Sequence, residues 1–493
     1  MLLFIETAAL LLTAGVSWYY HVNNGEDDYL CFLLPAAISA ILGLILFLIS
    51  KSKRSKPLES RDSYLVVTLA WVIFSLIGMF PFLLNGTVDN TADAFFETMS
   101  GFTATGSTIL ENIDSQPHGI LFWRCLMQWL GGLGIVVFTL AFIPTVAKGS
   151  KKMMLFAAES SGLSVEKLSP RMQETARNLW IIYFILTFLC GVCYYVGPMS
   201  LFDAVCHAMT TVATGGFSTH QASIGYFNSP YIEYVTSAFM ILSGINFALY
   251  FFAFTRRFDV IRKNEELKVY LSFIVCAVAL FCGLFYLAPH FDGVTQQQLA
   301  KMPHGAEQTF RTSLFHTATM LTSTGYQSSI FDYDQWGIMF LIPSAFFIMI
   351  GGCAGSTAGG VKMVRIIVIY KYIKNSVKEF IHPTGMFSIK LSDQKLDETA
   401  VKRVCTFFSL FILILVVNMI ILPTTDLGFE ESFVSFFSCF SNFGPGSGAT
   451  GPSYSFASLP DAAKWLLSLD MLVGRLEIFT VLLLFTRSFW EKK

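Results

Sequence analysis

The strings Ala104-Thr105-Gly106, Ala213-Thr214-Gly215 and Ser323-Thr324-Gly325 recur at nearly equal intervals along the 493-residue chain, with Asn442-Phe443-Gly444 as a looser fourth copy. Their glycines stand 109, 110 and 119 residues apart, and apolar segments long enough to cross a bilayer bracket each string. A fixed long period marks a repeated structural unit. Four membrane hairpins, each holding a glycine-containing loop between its helices, imply a four-fold arrangement whose loops meet on one axis and surround an ion path.

Composition fits a chain that lives in lipid: 54% of residues are hydrophobic, only 14% are charged, and the mean hydropathy is +0.58. Soluble domains carry about 25% charged residues. The net charge of −1 implies no nucleic-acid partner, since that binding needs concentrated positive charge. Ten cysteines are scattered mostly through apolar stretches. The CxxC pair Cys190 and Cys193 sits in Phe188-Leu189-Cys190-Gly191-Val192-Cys193, without the polar companions of a zinc or redox site, and reads as buried small hydrophobes.

Residues 2–20 form an apolar run with no basic segment before it, so it reads as a retained membrane helix and not a signal peptide. A second run, 30–50, ends at Lys51-Ser52-Lys53-Arg54-Ser55-Lys56, which marks the cytoplasmic side. A long helix, a shorter semi-polar segment, the Thr-Gly loop and another long helix then repeat four times. The outward helices are expected at 63–84, 174–197, 269–289 and 402–423, and the returning ones at 121–146, 231–255, 335–373 and 463–487. With the two leading helices this makes ten crossings with both termini cytoplasmic.

The expected fold class is an all-α polytopic membrane protein of four helix, re-entrant pore loop, helix repeats with pseudo-four-fold symmetry, preceded by two extra transmembrane helices. Its units are a two-helix extension 1–60 and pore repeats 61–147, 148–258, 259–375 with a broken second helix, and 376–493. Charge placement tests this topology independently. Lys148, Lys151, Lys152, Lys167 and Arg171, then Arg256, Arg257, Arg262 and Lys263, then Lys371, Lys374, Lys378, Lys390 and Lys395 all fall on the cytoplasmic side. The outer segments 85–120, 198–230 and 424–461 hold no Lys or Arg, and Lys301 and Arg311, in the outer segment of repeat 3, are the exceptions.

Each outer segment contains a stretch such as Thr91 to Phe102 or Leu201 to Val212, too short to span and too apolar for an exposed loop. That pattern belongs to a half-helix dipping into the membrane, and the irregular backbone after it is tolerated only where it lines water or is buried in protein. A half-helix entering from outside aims its negative C-terminal end at the bilayer centre, which favours a cation. Carbonyls of Ala104, Thr105, Ala213, Thr214, Ser323, Thr324, Asn442 and Phe443 then replace the water shell of an ion, and Gly106, Gly215, Gly325 and Gly444 set the curvature. Oxygen ligands without carboxylates suit a monovalent alkali ion better than calcium. Close helix packing is the competing explanation for small residues in a membrane protein.

Two features read as gating elements. The third returning segment is interrupted by Gly351-Gly352-Cys353-Ala354-Gly355-Ser356-Thr357-Ala358-Gly359-Gly360. Each interior glycine costs about 1 kcal/mol of helix stability, so this string is expected to unwind at membrane depth just below the loops. Arg475 lies in an otherwise apolar segment with Asp470 five residues back and Glu477 two ahead, neither at helical-pair spacing. An intramembrane arginine costs about 2.5 kcal/mol or more. Projecting into the pore, it is an electrostatic barrier to cations; a pair with a carboxylate on another helix is the alternative.

These residues resemble the Trk/Ktr/HKT superfamily of potassium transporters over about 63–487, and the two leading helices are similar to its Trk potassium-uptake branch. The resemblance implies that Gly106, Gly215, Gly325 and Gly444 belong to a selectivity filter, with glycine in all four repeats going with potassium preference. The fourth loop, Ser441-Asn442-Phe443-Gly444-Pro445-Gly446, departs from Ala-Thr-Gly yet is similar to the family's own fourth repeat. The resemblance also implies that Gly351, Gly352, Gly355, Ser356, Thr357, Gly359 and Gly360 form the intramembrane loop obstructing the pore, with Arg475 beside it. It further implies potassium as the bound ion with no organic cofactor in this chain, a homodimer with one pore per subunit, and a cytoplasmic ring of nucleotide-binding RCK domains. The location implied is the cell inner membrane.

Other features carry less. Asp89, Asp93, Glu97, Glu111 and Asp114 read mainly as solvated or capping residues at the outer mouth, His207 and His316 as satisfied core histidines, and Asn85-Gly86-Thr87 as an isolated sequon. No P-loop or GxGxxG occurs. The reading is therefore channel-like potassium uptake. The competing hypotheses are a symporter coupled to protons or sodium, for which no intramembrane carboxylate pair stands out, and a membrane enzyme using His316 or Cys439, for which no nucleophile and base spacing is found.

Overall fold

The computed structural model describes residues 2–52, 60–134, 172–290, 295–300, 302–328, 338–382, 388–392, 394–425, 427–451 and 454–491. The expected helical stretch 135–146, the residues Lys53, Arg54, Lys56, Lys148, Lys151, Lys152, Lys167, Arg171 and Lys301, and the segment 335–337 lie outside the described residues.

Two leading helices, α1 (Leu2–Asn24) and α2 (Leu30–Ser52), pack against each other. Repeat 1 follows with α3 (Ser60–Gly78), a half-helix α4 (Thr91–Phe102) and α5 (His118–Leu133). Repeat 2 comprises α6 (Met172–Val196), the half-helix α7 (Leu201–Val212), α8 (Pro230–Ser243) and α9 (Phe247–Phe254). Repeat 3 comprises α10 (Glu265–Leu287), the half-helix α11 (Ala306–Leu321), α12 (Ile338–Ile350) and α13 (Met363–Ile381). Repeat 4 closes the chain with α14 (Glu398–Ile421), the half-helix α15 (Phe429–Phe440), α16 (Asp461–Arg475) and α17 (Glu477–Leu482). A hairpin of two residues per strand, Lys390–Leu391 with Gln394–Lys395, is the only sheet among the described residues.

The packing is cyclic. Each half-helix touches the first helix of its own repeat and the second helix of the repeat before it: α4 meets α3 and α16, α7 meets α6 and α5, α11 meets α10 and α8, and α15 meets α14 and α12. This order is the pseudo-four-fold symmetry expressed in contacts. Half-helices fill the centre and are buried nearly throughout, as for Ala94 to Phe102 and Ala318 to Leu321. The first helices α6, α10 and α14 present Phe188, Val275 and Ile412 outward, an apolar rim suited to lipid.

Two expected continuous helices are broken. The segment 231–255 bends by 91° between α8 and α9. The turn is stabilised from another repeat, since Cys353 N–H donates to the Gly244 carbonyl and Phe247 N–H to the Gly355 carbonyl, both at 2.9 Å. The segment 463–487 breaks after Arg475, where Glu477 adopts φ 60. Arg311, an exception in the charge pattern, is neutralised by Glu233 and by Glu307, the latter at 3.0 Å. Six helices among the described residues are long and apolar enough to cross a membrane, seven with the bent pair.

Candidate functional site

All four half-helices end the same way. The residue after the C-cap takes left-handed dihedrals, at Ala104, Thr214, Ser323 and Asn442, with φ of 52, 54, 52 and 52. Its N–H bonds back three residues (Ala104 to Gly101, Thr214 to Thr211, Ser323 to Met320, Asn442 to Cys439), and the next N–H bonds back five (Thr105 to Ser100, Gly215 to Thr210, Thr324 to Thr319, Phe443 to Ser438). This paired pattern is the Schellman termination, which satisfies orphan carbonyls and turns the chain sharply off the helix. None of the four is glycine, and a β-branched residue such as Thr214 with positive φ is a strained conformer.

The equivalence corrects the register of the second loop. Thr214, not Ala213, stands where Ala104 does, so the structural copies are 104–106, 214–216, 323–325 and 442–444. The glycines with positive φ are Gly106, Gly216, Gly325 and Gly444, at 91, 79, 79 and 112. Gly215 occupies the place of Thr105.

The loops close into a ring in chain order. A Cβ on Gly106 would overlap the carbonyl of Gly215, one on Gly216 that of Thr324, and one on Gly325 that of Phe443; one on Gly444 would come within 2.9 Å of the Thr105 oxygen. Each glycine thus lets the neighbouring carbonyl approach to a distance no side chain allows. Gly106, Gly216, Gly325 and Gly444 all line a cavity of about 60 Å³ on the side reached after the loops. On the other side a cavity of about 130 Å³ is lined by Asn442, Gly355, Gly359, Gly360, Lys362 and Arg475.

Side chains brace the ring from behind. Thr103 and Thr105 join through their hydroxyls at 2.7 Å, as do Thr322 and Thr324. Asn442 Nδ2 donates to Thr105 Oγ1 at 2.9 Å, and Ser107 Oγ to the Gly444 carbonyl at 2.7 Å. On α5, Arg124 Nε pairs with Glu97 Oε1 at 2.7 Å, and both are buried. Arg124 also donates to the Ser218 carbonyl at 3.1 Å and lies over the Phe217 ring. Four residues further on, Gln128 bonds the second loop twice.

The segment 351–360 does leave the helix, and it docks directly beneath the ring. Gly359 N–H donates to Ser323 Oγ at 2.5 Å and Gly360 N–H to the Ser441 carbonyl at 2.9 Å. Thr357 Oγ1 donates to the Val212 carbonyl at 2.9 Å. Gly351, Gly355 and Gly360 have positive φ, while Gly352 packs on Ala358 and Ser356 bonds the Cys353 carbonyl at 2.6 Å. Arg475 donates to the carbonyls of Thr357 (3.1 Å), Gly131 (2.7 Å) and Gly132, so it ties this segment to the end of α5.

A family model described as TrkH, cation transport protein, matches residues 35–492. The chain belongs to the TrkH family. It is 35% identical over 497 residues to the Trk system potassium uptake protein TrkH of Salmonella typhimurium, covering 100% of this chain and 98% of the relative. It is 37% identical over 493 residues to the protein of the same name from Vibrio parahaemolyticus, with the same coverage. The crystal structure of the potassium transporter TrkH from Vibrio parahaemolyticus superposes with a TM-score of 0.83 at 30% identity, covering 100% of this chain and 99% of that one.

Within this TrkH-family fold the secondary candidates separate. His207 bonds Ser218 Oγ at 2.9 Å and the Asp203 carbonyl at 2.8 Å, and His316 bonds Ser344 Oγ at 3.0 Å. Cys190 and Cys193 are unbridged, and no cluster of metal-binding side chains is found among the described residues. Glu97 is not at the solvated mouth but fully buried behind the first loop. Sequence reasoning missed Arg124, Gln128 and Glu266. Arg124 carried a usable signal, because an arginine inside an expected membrane helix is as costly as Arg475.

Proposed function

We propose that the chain conducts potassium inward across the cell membrane, down its electrochemical gradient, through the ring of four loops. The carrying observation is that ring: four identically terminated half-helices present their negative C-terminal ends and a circle of main-chain carbonyls between two cavities. The names of the relatives supply the ion. Ala104, Thr105 and Gly106, Thr214, Gly215 and Gly216, Ser323, Thr324 and Gly325, and Asn442, Phe443 and Gly444 then form the selectivity filter, with Ala213 at the helix cap on its gate side. Passage is channel-like, without catalytic chemistry or an organic cofactor.

The docked segment 351–360 and Arg475 act as the gate. The segment blocks the ring from beneath, and a guanidinium held on carbonyls there repels a cation leaving the loops. Opening requires the bonds to Ser323, Ser441 and Val212 to be exchanged for others. The subunit works as a homodimer with cytoplasmic termini. The solvent-facing Lys374 and Lys378 near the end of α13 offer contact to a regulatory RCK ring.

Reconstituted flux with Gly106→Ser tests the filter. The added side chain meets the Gly215 carbonyl, and potassium preference over sodium should fall at least severalfold, roughly the effect of one lost carbonyl ligand of about 1 kcal/mol. Unchanged discrimination would remove Gly106 from the ion path.

A further inference from the structure

The second loop lacks the brace its neighbours have. Loops 1 and 3 fix their carbonyl-bearing threonines by hydroxyl pairs, Thr103 with Thr105 and Thr322 with Thr324. At the same two positions loop 2 has Ala213 and Gly215. The vacancy is filled from another repeat: a Cβ on Gly215 would meet Cδ and Oε1 of Gln128 on α5. Gln128 is completely buried, its Oε1 accepts from Phe217 N–H at 3.0 Å, and its Nε2 donates to the Gly215 carbonyl at 2.6 Å. The Phe217 N–H fixes which end of the amide is which, since only the oxygen accepts.

The two braces differ in what they leave for an ion. Among the described residues no donor reaches the carbonyl of Thr105 or Thr324. The Gly215 carbonyl, their structural equivalent, is already shared with an amide proton donor. We propose that Gln128 is a specificity-determining residue: by donating to one of the four ring carbonyls it lowers the field at that corner, and the ring ranks ions partly through this asymmetry. A weaker oxygen field disfavours the smaller, more strongly hydrated cation, so the bond to Gly215 works against sodium. It also explains the Gly-Gly step in loop 2, where a threonine at 215 and a glutamine at 128 compete for one space. The inference rests on the filter reading above.

The test is relative potassium, rubidium and sodium flux in vesicles holding the full-length protein, with the half-saturating potassium concentration measured separately from the maximal rate. Gln128→Met keeps the length and loses the donor; its sodium-to-potassium ratio should rise roughly two- to tenfold, the range set by one neutral hydrogen bond. A parental ratio in that variant overturns the proposal while leaving the filter reading intact, because Gly106→Ser tests the latter independently. Should Gln128→Met fail to fold, Gln128→Glu gives the same information. Its carboxyl accepts from Phe217 N–H in either state but donates to Gly215 only when protonated, so the ratio should climb as pH is raised; a pH-independent ratio overturns the proposal.

Discussion

Ala104, Thr214, Ser323 and Asn442 each hold left-handed dihedrals that cost about 1–2 kcal/mol for a residue with a Cβ. Strain of this kind persists only where the surroundings over-determine it, and here they do: two Schellman bonds fix each one, and the glycine two residues on lies against a neighbouring loop. The Glu97 and Arg124 pair belongs to the same scaffold, with Glu97 also accepting from Ile109 N–H at 2.9 Å and from Thr108. Arg124→Leu strands a buried carboxylate and should lower stability by about 3–5 kcal/mol, read as a reduced thermal midpoint in detergent. Glu97→Gln with Arg124→Leu should recover part of that loss. A single variant as stable as the parent would show that the Glu97 and Arg124 pair does not hold the scaffold together. The first and third loops were legible in the sequence because one glycine follows one recurring string, and the fourth as a looser copy at a similar interval. In the second, Gly215-Gly216 admits two registers, and only the turn bonds decide between them.

At the scale of elements, the half-helices are legible in the sequence, since a twelve-residue apolar stretch between two spanning ones has nowhere to go except partway into the membrane. The breaks at Gly244 and Glu477 were not. Hydropathy reports the transfer cost of side chains, whereas the first break depends on backbone groups satisfied by a distant segment and the second lies where Glu477 pairs with Arg365 of another repeat. The interrupted segment also depends on a distant group, because one side chain ties it to the first turn of α13. Glu266 Oε1, at the start of α10, accepts from Ala354 N–H at 2.7 Å and Val364 N–H at 3.1 Å. Hydrogen bonds to a charged group contribute about 1.5–3 kcal/mol each, so Glu266→Ala should let the segment undock far more often. Cys353, buried in the docked form, is the reporter. With the other nine cysteines replaced, its labelling by a small thiol reagent should accelerate by at least about tenfold, and an unaltered rate would mean that Glu266 does not hold the segment.

Over the whole molecule, the four-fold plan is exact in the turns and unequal in the joints between repeats. Loops 4 and 1 join through Asn442 and Ser107; repeats 2 and 3 join through Tyr326, whose hydroxyl meets Thr210 Oγ1 at 2.5 Å. Repeats 1 and 2 join through α5 and, at the rim, through His220. That ring stacks on Tyr226 at 3.5 Å and places Nδ1 2.8 Å from Asp114 and Nε2 3.4 Å from Asp203. Burial pulls the His220 pKa down, but the two carboxylates outweigh it and leave it above the ordinary histidine value. A histidine whose folded-state pKa is raised contributes stability that is complete below the unfolded value near 6.5 and is lost as pH rises through the folded value. The rim joint should therefore be intact below about pH 6.5 and weaken as the pH is raised through the folded value. The measurement is the difference in thermal midpoint between the parent and His220→Gln across that range. It should be largest at the acid end and shrink toward alkaline pH, because glutamine cannot lose a charge. A difference that stays constant with pH would assign His220 to packing on Tyr226 alone.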